Sequence, residues 1–191
     1  MKADLTRDVF LAVQANESVV RALSLSRYRV IMFATHGLVP GDLDGLTQPA
    51  LALTAPEVAQ IGGDGLLTMD EILGLRLNAD WVVLSACNTA SGNGAGSEAI
   101  SGLGRAFFYA GARALLVSNW PVETTSAKWL TTELFRRQAE DPRQSRAEML
   151  RQTQNALIDQ PGHTHPITKE LVHSYAHPLF WAPFVLVGDG G

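Results

Sequence analysis

Short runs of branched aliphatic residues, each separated from the next by a segment with helical spacing, limit the architectures open to this chain. The clearest are Arg29-Val30-Ile31-Met32-Phe33-Ala34, Asp80-Trp81-Val82-Val83-Leu84-Ser85-Ala86, Arg113-Ala114-Leu115-Leu116-Val117-Ser118 and Phe184-Val185-Leu186-Val187. They are strand-sized, far short of a spanning helix, and nearly all apolar, as buried strands of a parallel sheet are. Strands alternating with helices imply βαβ units and a mainly parallel α/β sheet. A further short strand is read at Ala50-Leu51-Ala52-Leu53-Thr54, inside a glycine- and proline-rich stretch from 38 to 65 that is otherwise loop.

Helix signals fill the intervals. Val9, Phe10, Val13, Val19, Val20 and Leu23 suit one or two amphipathic helices between Asp4 and Leu25. Thr68-Met69-Asp70-Glu71 matches a capping box and predicts a short helix to about Leu75. A helix from about Ser97 to Ala110 is closed by Gly111 as a left-handed cap. Two more are read over 123–140 and 142–159, the second restarted by Asp141-Pro142 with proline in its first turn. Pro161 to Pro166 reads as a linker.

Composition removes several functions. Lys plus Arg number 15 against 19 Asp plus Glu, a formal charge of −4, which disfavours a protein living on phosphate contacts with nucleic acid. One cysteine excludes an internal disulfide and multi-cysteine zinc or iron–sulfur sites. Charge at Asp4, Arg7 and Asp8 breaks any leader-like apolar stretch, and a cytoplasmic address without membrane attachment follows by default. His163-Thr164-His165 lies in a proline-bounded stretch with few carboxylates, away from His173 and His177, and reads as a surface loop. Gly92-Asn93-Gly94-Ala95-Gly96-Ser97 follows a strand and opens a helix, yet Ser97 replaces the third glycine of a dinucleotide loop and no Gly-Lys-Ser/Thr follows. Small residues there give the preceding segment room. Glu98, at a helix start, is read as structural, with Arg105 or Arg113 as its partner.

Ligands of open α/β sheets bind beyond the carboxyl ends of the strands. His36 and Cys87 both fall just past such an end, on different strands and about 50 residues apart, the His-to-Cys spacing known for caspases. A thiol titrates near about 8.5 when unperturbed, and a neighbouring histidine takes its proton and later supplies one to a leaving amine. Gly37 has no side chain to keep its backbone N–H from a substrate carbonyl, and with the N–H of Cys87 it would bind a developing oxyanion. Taken singly, a free cysteine is more often a small buried apolar residue; the joint placement shifts the balance towards nucleophilic catalysis. Trp120, after the third strand, is either a wall of a substrate pocket or part of the core.

Several ordered segments carry a family resemblance. Phe33-Ala34-Thr35-His36-Gly37, Val82-Val83-Leu84-Ser85-Ala86-Cys87-Asn88-Thr89, Gly102-Leu103-Gly104-Arg105-Ala106-Phe107-Phe108-Tyr109-Ala110-Gly111-Ala112, Ser118-Asn119-Trp120-Pro121-Val122 and Pro178-Leu179-Phe180-Trp181-Ala182-Pro183-Phe184-Val185-Leu186-Val187-Gly188-Asp189 resemble the CHAT domain over about residues 6 to 189. The resemblance implies a caspase-like three-layer α/β fold, a mainly parallel sheet flanked by helices, in the clan of caspases and separases. It implies a cytoplasmic, bacterial-type cysteine endopeptidase with His36 and Cys87 as its dyad, acting on a protein or peptide substrate without a cofactor. The alternative is a non-catalytic interaction or regulatory module of the same fold. CHAT domains are longer at the amino side, so residues 1–191 are expected to be one domain, the carboxyl portion of a longer one. The sheet then lacks amino-side strands and has an unprotected edge that invites pairing. The family also carries helical repeats ahead of this domain, which makes a helical-repeat region or another regulatory protein a partner. Two residues before the nucleophile, where caspases place Gln and separases Asp, this chain has Ser85, which by itself recruits no charged residue. Asp42 and Asp44 either supply negative charge to the pocket or are solvated loop carboxylates.

Overall fold

The computed structural model describes residues 3–84, 95–165 and 167–191. Its amino-side segment holds one short helix, α1 (Glu17–Ala22), between 3-10 turns at Ala12–Gln14 and Leu25–Arg27. That is less helix than the spacing of Val9, Phe10 and Val13 predicts. Asn16 sets the late start: its side chain accepts the Val19 N–H at 2.9 Å and donates to the Val13 carbonyl at 2.7 Å, so the helix begins only after it.

The chain continues through β1 (Val30–Phe33), β2 (Gly37–Leu38), β3 (Ala50–Ala52), α2 (Pro56–Ala59), β4 (Leu66–Thr68), α3 (Met69–Leu73), β5 (Trp81–Leu84) and α4 (Ala95–Ala110). It ends with β6 (Ala114–Ser118), α5 (Thr124–Glu140), α6 (Arg146–Ile158), β7 (His163–Thr164), β8 (Leu171–His173), α7 (Pro178–Trp181) and β9 (Phe184–Gly188). The capping box forms as read, with Glu71 Oε2 accepting from Thr68 N–H at 2.8 Å. Pro142 does not open α6. It lies in a turn, and Ser145 caps the helix by accepting from Glu148 N–H at 3.3 Å. The Pro161–Pro166 stretch is not a bare linker, since His163 and Thr164 pair with His173 and Leu171 in a two-stranded ribbon.

The main sheet has the order β1-β5-β6-β9. The first three strands are parallel and β9 is antiparallel to β6, so the sheet is mixed and mostly parallel. Strand β1 is an edge: β5 flanks it on one side and no described strand on the other. It is accordingly not buried as its composition suggests, and Met32 is 46% exposed. A second sheet, β2-β3-β4, is antiparallel throughout.

Alternating side chains of the main sheet feed two cores. On one face Phe33, Val82, Leu84, Leu115 and Val117 meet α3 and α4 through Ile72, Leu103 and Phe107. On the other, Trp81, Val83 and Leu116 meet α5, α6 and α7 through Leu130, Leu134, Met149, Leu157 and Phe180. Helices thus cover both faces, the three-layer arrangement the sequence implies.

One helix cap, Glu123, and one first-turn carboxylate, Glu148, give the fold an acid limit. Burial alone would push the Glu123 carboxyl up, but the Ser126 and Thr125 amides at the start of α5 outweigh it and hold it below the usual carboxylate range. The Arg151 guanidinium, with Gln152, brings Glu148 down to about 2. Both groups release their proton more readily folded than unfolded. Their stabilisation is therefore complete above the ordinary value of 4.5 and lost as pH falls through it towards 2. Denaturant midpoints should fall steadily between about pH 5 and pH 2, and Glu123→Gln should flatten that slope. An unchanged slope in the variant would remove Glu123 from this account.

Candidate functional site

The carboxyl ends of β1 and β5 lie level, since Phe33 is the register partner of Leu84. His36 follows three residues after Phe33, and Cys87 three residues after Leu84 in the sequence. Ser85 and Cys87 fall outside the described residues, as do residues 92–94 of the glycine-rich segment and the side chain of Glu98. His36 is exposed at the turn from the main sheet into the second one. The same end of the sheet carries Asn119 and Trp120 after β6, together with α7, which leads into β9.

The turn at His36 is fixed by one residue of β3, Ala52, through its N–H and its carbonyl. The Ala52 N–H donates to the His36 carbonyl at 2.8 Å, and the Thr35 hydroxyl donates to the Ala52 carbonyl. The first of these bonds makes Gly37–Leu51 a non-hydrogen-bonded pair of the antiparallel ladder. The N–H of Gly37 is therefore turned away from β3 and is not used by that ladder. Sequence reasoning named His36 and Gly37 but missed Thr35 and Ala52. A β-branched hydroxyl residue directly before the histidine was the available signal.

The other sequence candidates are placed as follows. The Asp42 carboxylate accepts from Val39 N–H at 2.8 Å and closes a local turn, and both Asp42 and Asp44 are exposed. Trp120 is half-buried, and its indole N–H donates to the Leu179 carbonyl of α7 at 3.3 Å. Arg113 pairs with Asp80, at 3.7 Å, on the opposite end of the sheet. His163 is brought against His173, with stacked rings 5.2 Å apart, although the sequence sets them on separate segments. Among the described residues no group of three or more His, Cys, Asp or Glu side chains is placed to hold a metal ion, and no helix is long and apolar enough to cross a membrane.

A mostly parallel sheet covered by helices on both faces, with a histidine at the carboxyl end of one strand and the Cys87 segment following its neighbour, is the arrangement of the caspase-like class. The CHAT domain family matches residues 2–189, and the chain belongs to that family. It is also 29% identical over 126 residues to tetratricopeptide repeat protein 28 of Mus musculus. That match covers 65% of this chain and 4% of the mouse protein, so the chain spans a small part of the relative it resembles.

Proposed function

We propose that the chain is an interaction or regulatory module of CHAT fold, and that it holds an extended segment of a protein partner along β1. The observation that carries this reading is the outer edge of that strand, along which no described strand pairs. The Arg29 carbonyl accepts from Trp81 N–H at 3.1 Å, so residues 29, 31 and 33 face β5 and the peptide groups of Val30 and Met32 face outwards. Val30 to Phe33 carries no charge and no proline, the features that commonly protect a sheet edge. An incoming strand would gain main-chain hydrogen bonds there and apolar contact with Met32. The likeness to part of a tetratricopeptide repeat protein supports a helical-repeat protein as the source of that strand.

Hydrogen exchange tests it. In the chain alone, the amides of Val30 and Met32 should exchange at least about a hundredfold faster than those of β5. A tetratricopeptide-repeat polypeptide, supplied separately, should slow them. Met32→Pro removes one outward N–H and no β5 hydrogen bond, so it should abolish that protection while Met32→Ala keeps it. Edge amides that are already slow in the chain alone would end the proposal.

A second reading is favoured by the level ends of β1 and β5: a cysteine endopeptidase. Here His36 takes the Cys87 proton, and the thiolate adds to the scissile carbonyl. The oxyanion is met by the N–H groups of Gly37 and Cys87. Collapse expels the amine with the proton from His36, and water hydrolyses the thioester. Ser85, Asp42, Asp44 and Trp120 would face the substrate. Because the chain has a single cysteine, a panel of peptidyl electrophiles reports on one site. This reading expects one adduct, at Cys87, formed about a hundredfold more slowly in His36→Gln. A folded chain inert to the whole panel would exclude it, and partner binding that survives Cys87→Ala would leave the module reading intact.

A further inference from the structure

Four of the chain's five histidines fall within residues 163–177, on the β7–β8 ribbon and just before α7. That ribbon has little to hold it. Paired strands of two and three residues are not stable alone, and among the described residues from 163 to 173 only His173 is not exposed. Its ring is sandwiched between His163, 5.2 Å away at 18°, and Phe180 of α7, 4.6 Å away at 16°. Tyr175 meets it edge-on at 5.3 Å. One imidazole therefore anchors the ribbon and closes it against Phe180 and Tyr175, which are 7% and 8% exposed.

Three of these rings are placed to suit the neutral form. His173 Nε2 is buried without a partner, so a proton there would leave a charged N–H with no acceptor. Nδ1 of His165 accepts from the Ile167 and Thr168 N–H groups at 3.3 and 3.1 Å in the ribbon turn. Nδ1 of His177 accepts from the Leu179 N–H at 3.2 Å and caps α7. A protonated ring is a donor at both nitrogens and loses these bonds. A proton on exposed His163 would also set a charge against the face of His173. The other ionisable groups nearby do not offset this. Burial, and then Glu123 at the start of α5, pushes the Tyr175 phenol up, and the Glu123 carboxylate is taken by the Thr125 and Ser126 amides. Lys169 and Glu170 lie between β7 and β8, and among the described residues no carboxylate pairs with any of the four rings. The face of Phe180 would attract one imidazolium, but His163 meets the same ring from the other side.

We propose that residues 163–177 are a pH-sensitive latch, closed while its imidazoles are neutral and swung off Phe180 and Tyr175 when they take up protons. Imidazole is the side chain whose charge changes between about pH 5 and 8. The closed form binds fewer protons than the open one, so falling pH favours opening. Opening uncovers the ribbon-facing sides of two aromatic rings and leaves the main sheet intact. The latch lies on the β9 side of that sheet, and it rests on neither of the readings given above.

NMR of the full chain, titrated from about pH 8 to pH 5, tests the latch. The ring-proton contacts between residue 173 and Phe180 should disappear reversibly over that range, while the amide signals of β5 and β6 hold their positions. The window lies above the one in which Glu123 and Glu148 lose their stabilisation, so opening precedes general unfolding. His173→Phe keeps the stack without its charge and should move the midpoint down by at least about one pH unit. His177→Asn, at an exposed position, keeps a cap for α7 that does not titrate and should also move the midpoint down. Ring contacts as strong at pH 5 as at pH 8, or a wild-type midpoint in both variants, overturn the latch. A simultaneous loss of the β5 and β6 signals overturns it too, since the transition would then be unfolding.

Discussion

Replacing Gly111 with alanine should lower stability by about 3 kcal/mol or more, a fall in thermal midpoint of roughly 10 °C for a chain of this size. Gly111 ends α4 at φ +111, a backbone region closed to side-chain-bearing residues. A Cβ there would overlap the Leu77 carbonyl oxygen and stand 3.1 Å from the Leu77 carbonyl carbon. Both neighbours are backbone, and neither has freedom to retreat: Leu77 N–H donates to Ala110 O at 2.7 Å, and Ala112 N–H to Phe107 O at 3.0 Å. Gly41→Ala is the control. Its φ is +99 but nothing lies within 4 Å of the added carbon, so its cost should stay near the about 1–2 kcal/mol of the backbone conformation alone. Equal midpoints for the two variants would show that the Leu77 contact contributes nothing.

Phe107→Ala should be the more damaging core change, with a loss of about 3–5 kcal/mol. Phe107 is fully buried under the main sheet, and its ring meets that of Phe33 with centroids 5.6 Å apart. Phe33 is the last residue of β1, immediately before the Ala34-Thr35-His36 turn. The cavity therefore opens beneath the candidate site. Amide exchange at Thr35 to Gly37 should speed up more than the global loss of stability explains, because among the described residues β1 has only one neighbouring strand to hold it. A uniform change across the sheet would show that the effect is not local.

The elements that were legible in the sequence are those whose signal is self-contained. Val82, Val83 and Leu84, or Leu115, Leu116 and Val117, are apolar on every side because the sheet they join is covered on both faces. The Thr68–Glu71 box and Gly111 announce helix ends through local hydrogen bonding and φ alone. What escaped depended on partners distant in sequence. Met32 looks as apolar as Val83, and its exposure does not show in β1 itself; the expectation of an unprotected edge came from the family resemblance, and no described strand lies beyond β1. Strand β2 is two residues long and exists because Leu51 and Ala50 lie opposite it. His163 and Thr164 are strand only by virtue of Leu171 and His173. Pro142 misled because proline suits both a turn and a first helical position, and Ser145 provided the stronger cap. At the candidate site the motif gave His36 and Gly37, whereas Thr35 needed Ala52 in place before its hydroxyl had an acceptor.

Residue Ala52 has a structural consequence. It belongs to the second sheet, yet it grips the residues on either side of the Thr35–His36 bond. That sheet in turn packs through Leu51 and Leu67 into the core that holds Val82 and Leu84 of β5. The backbone at His36 is thereby moored to β5 twice, directly through β1 and indirectly through β3.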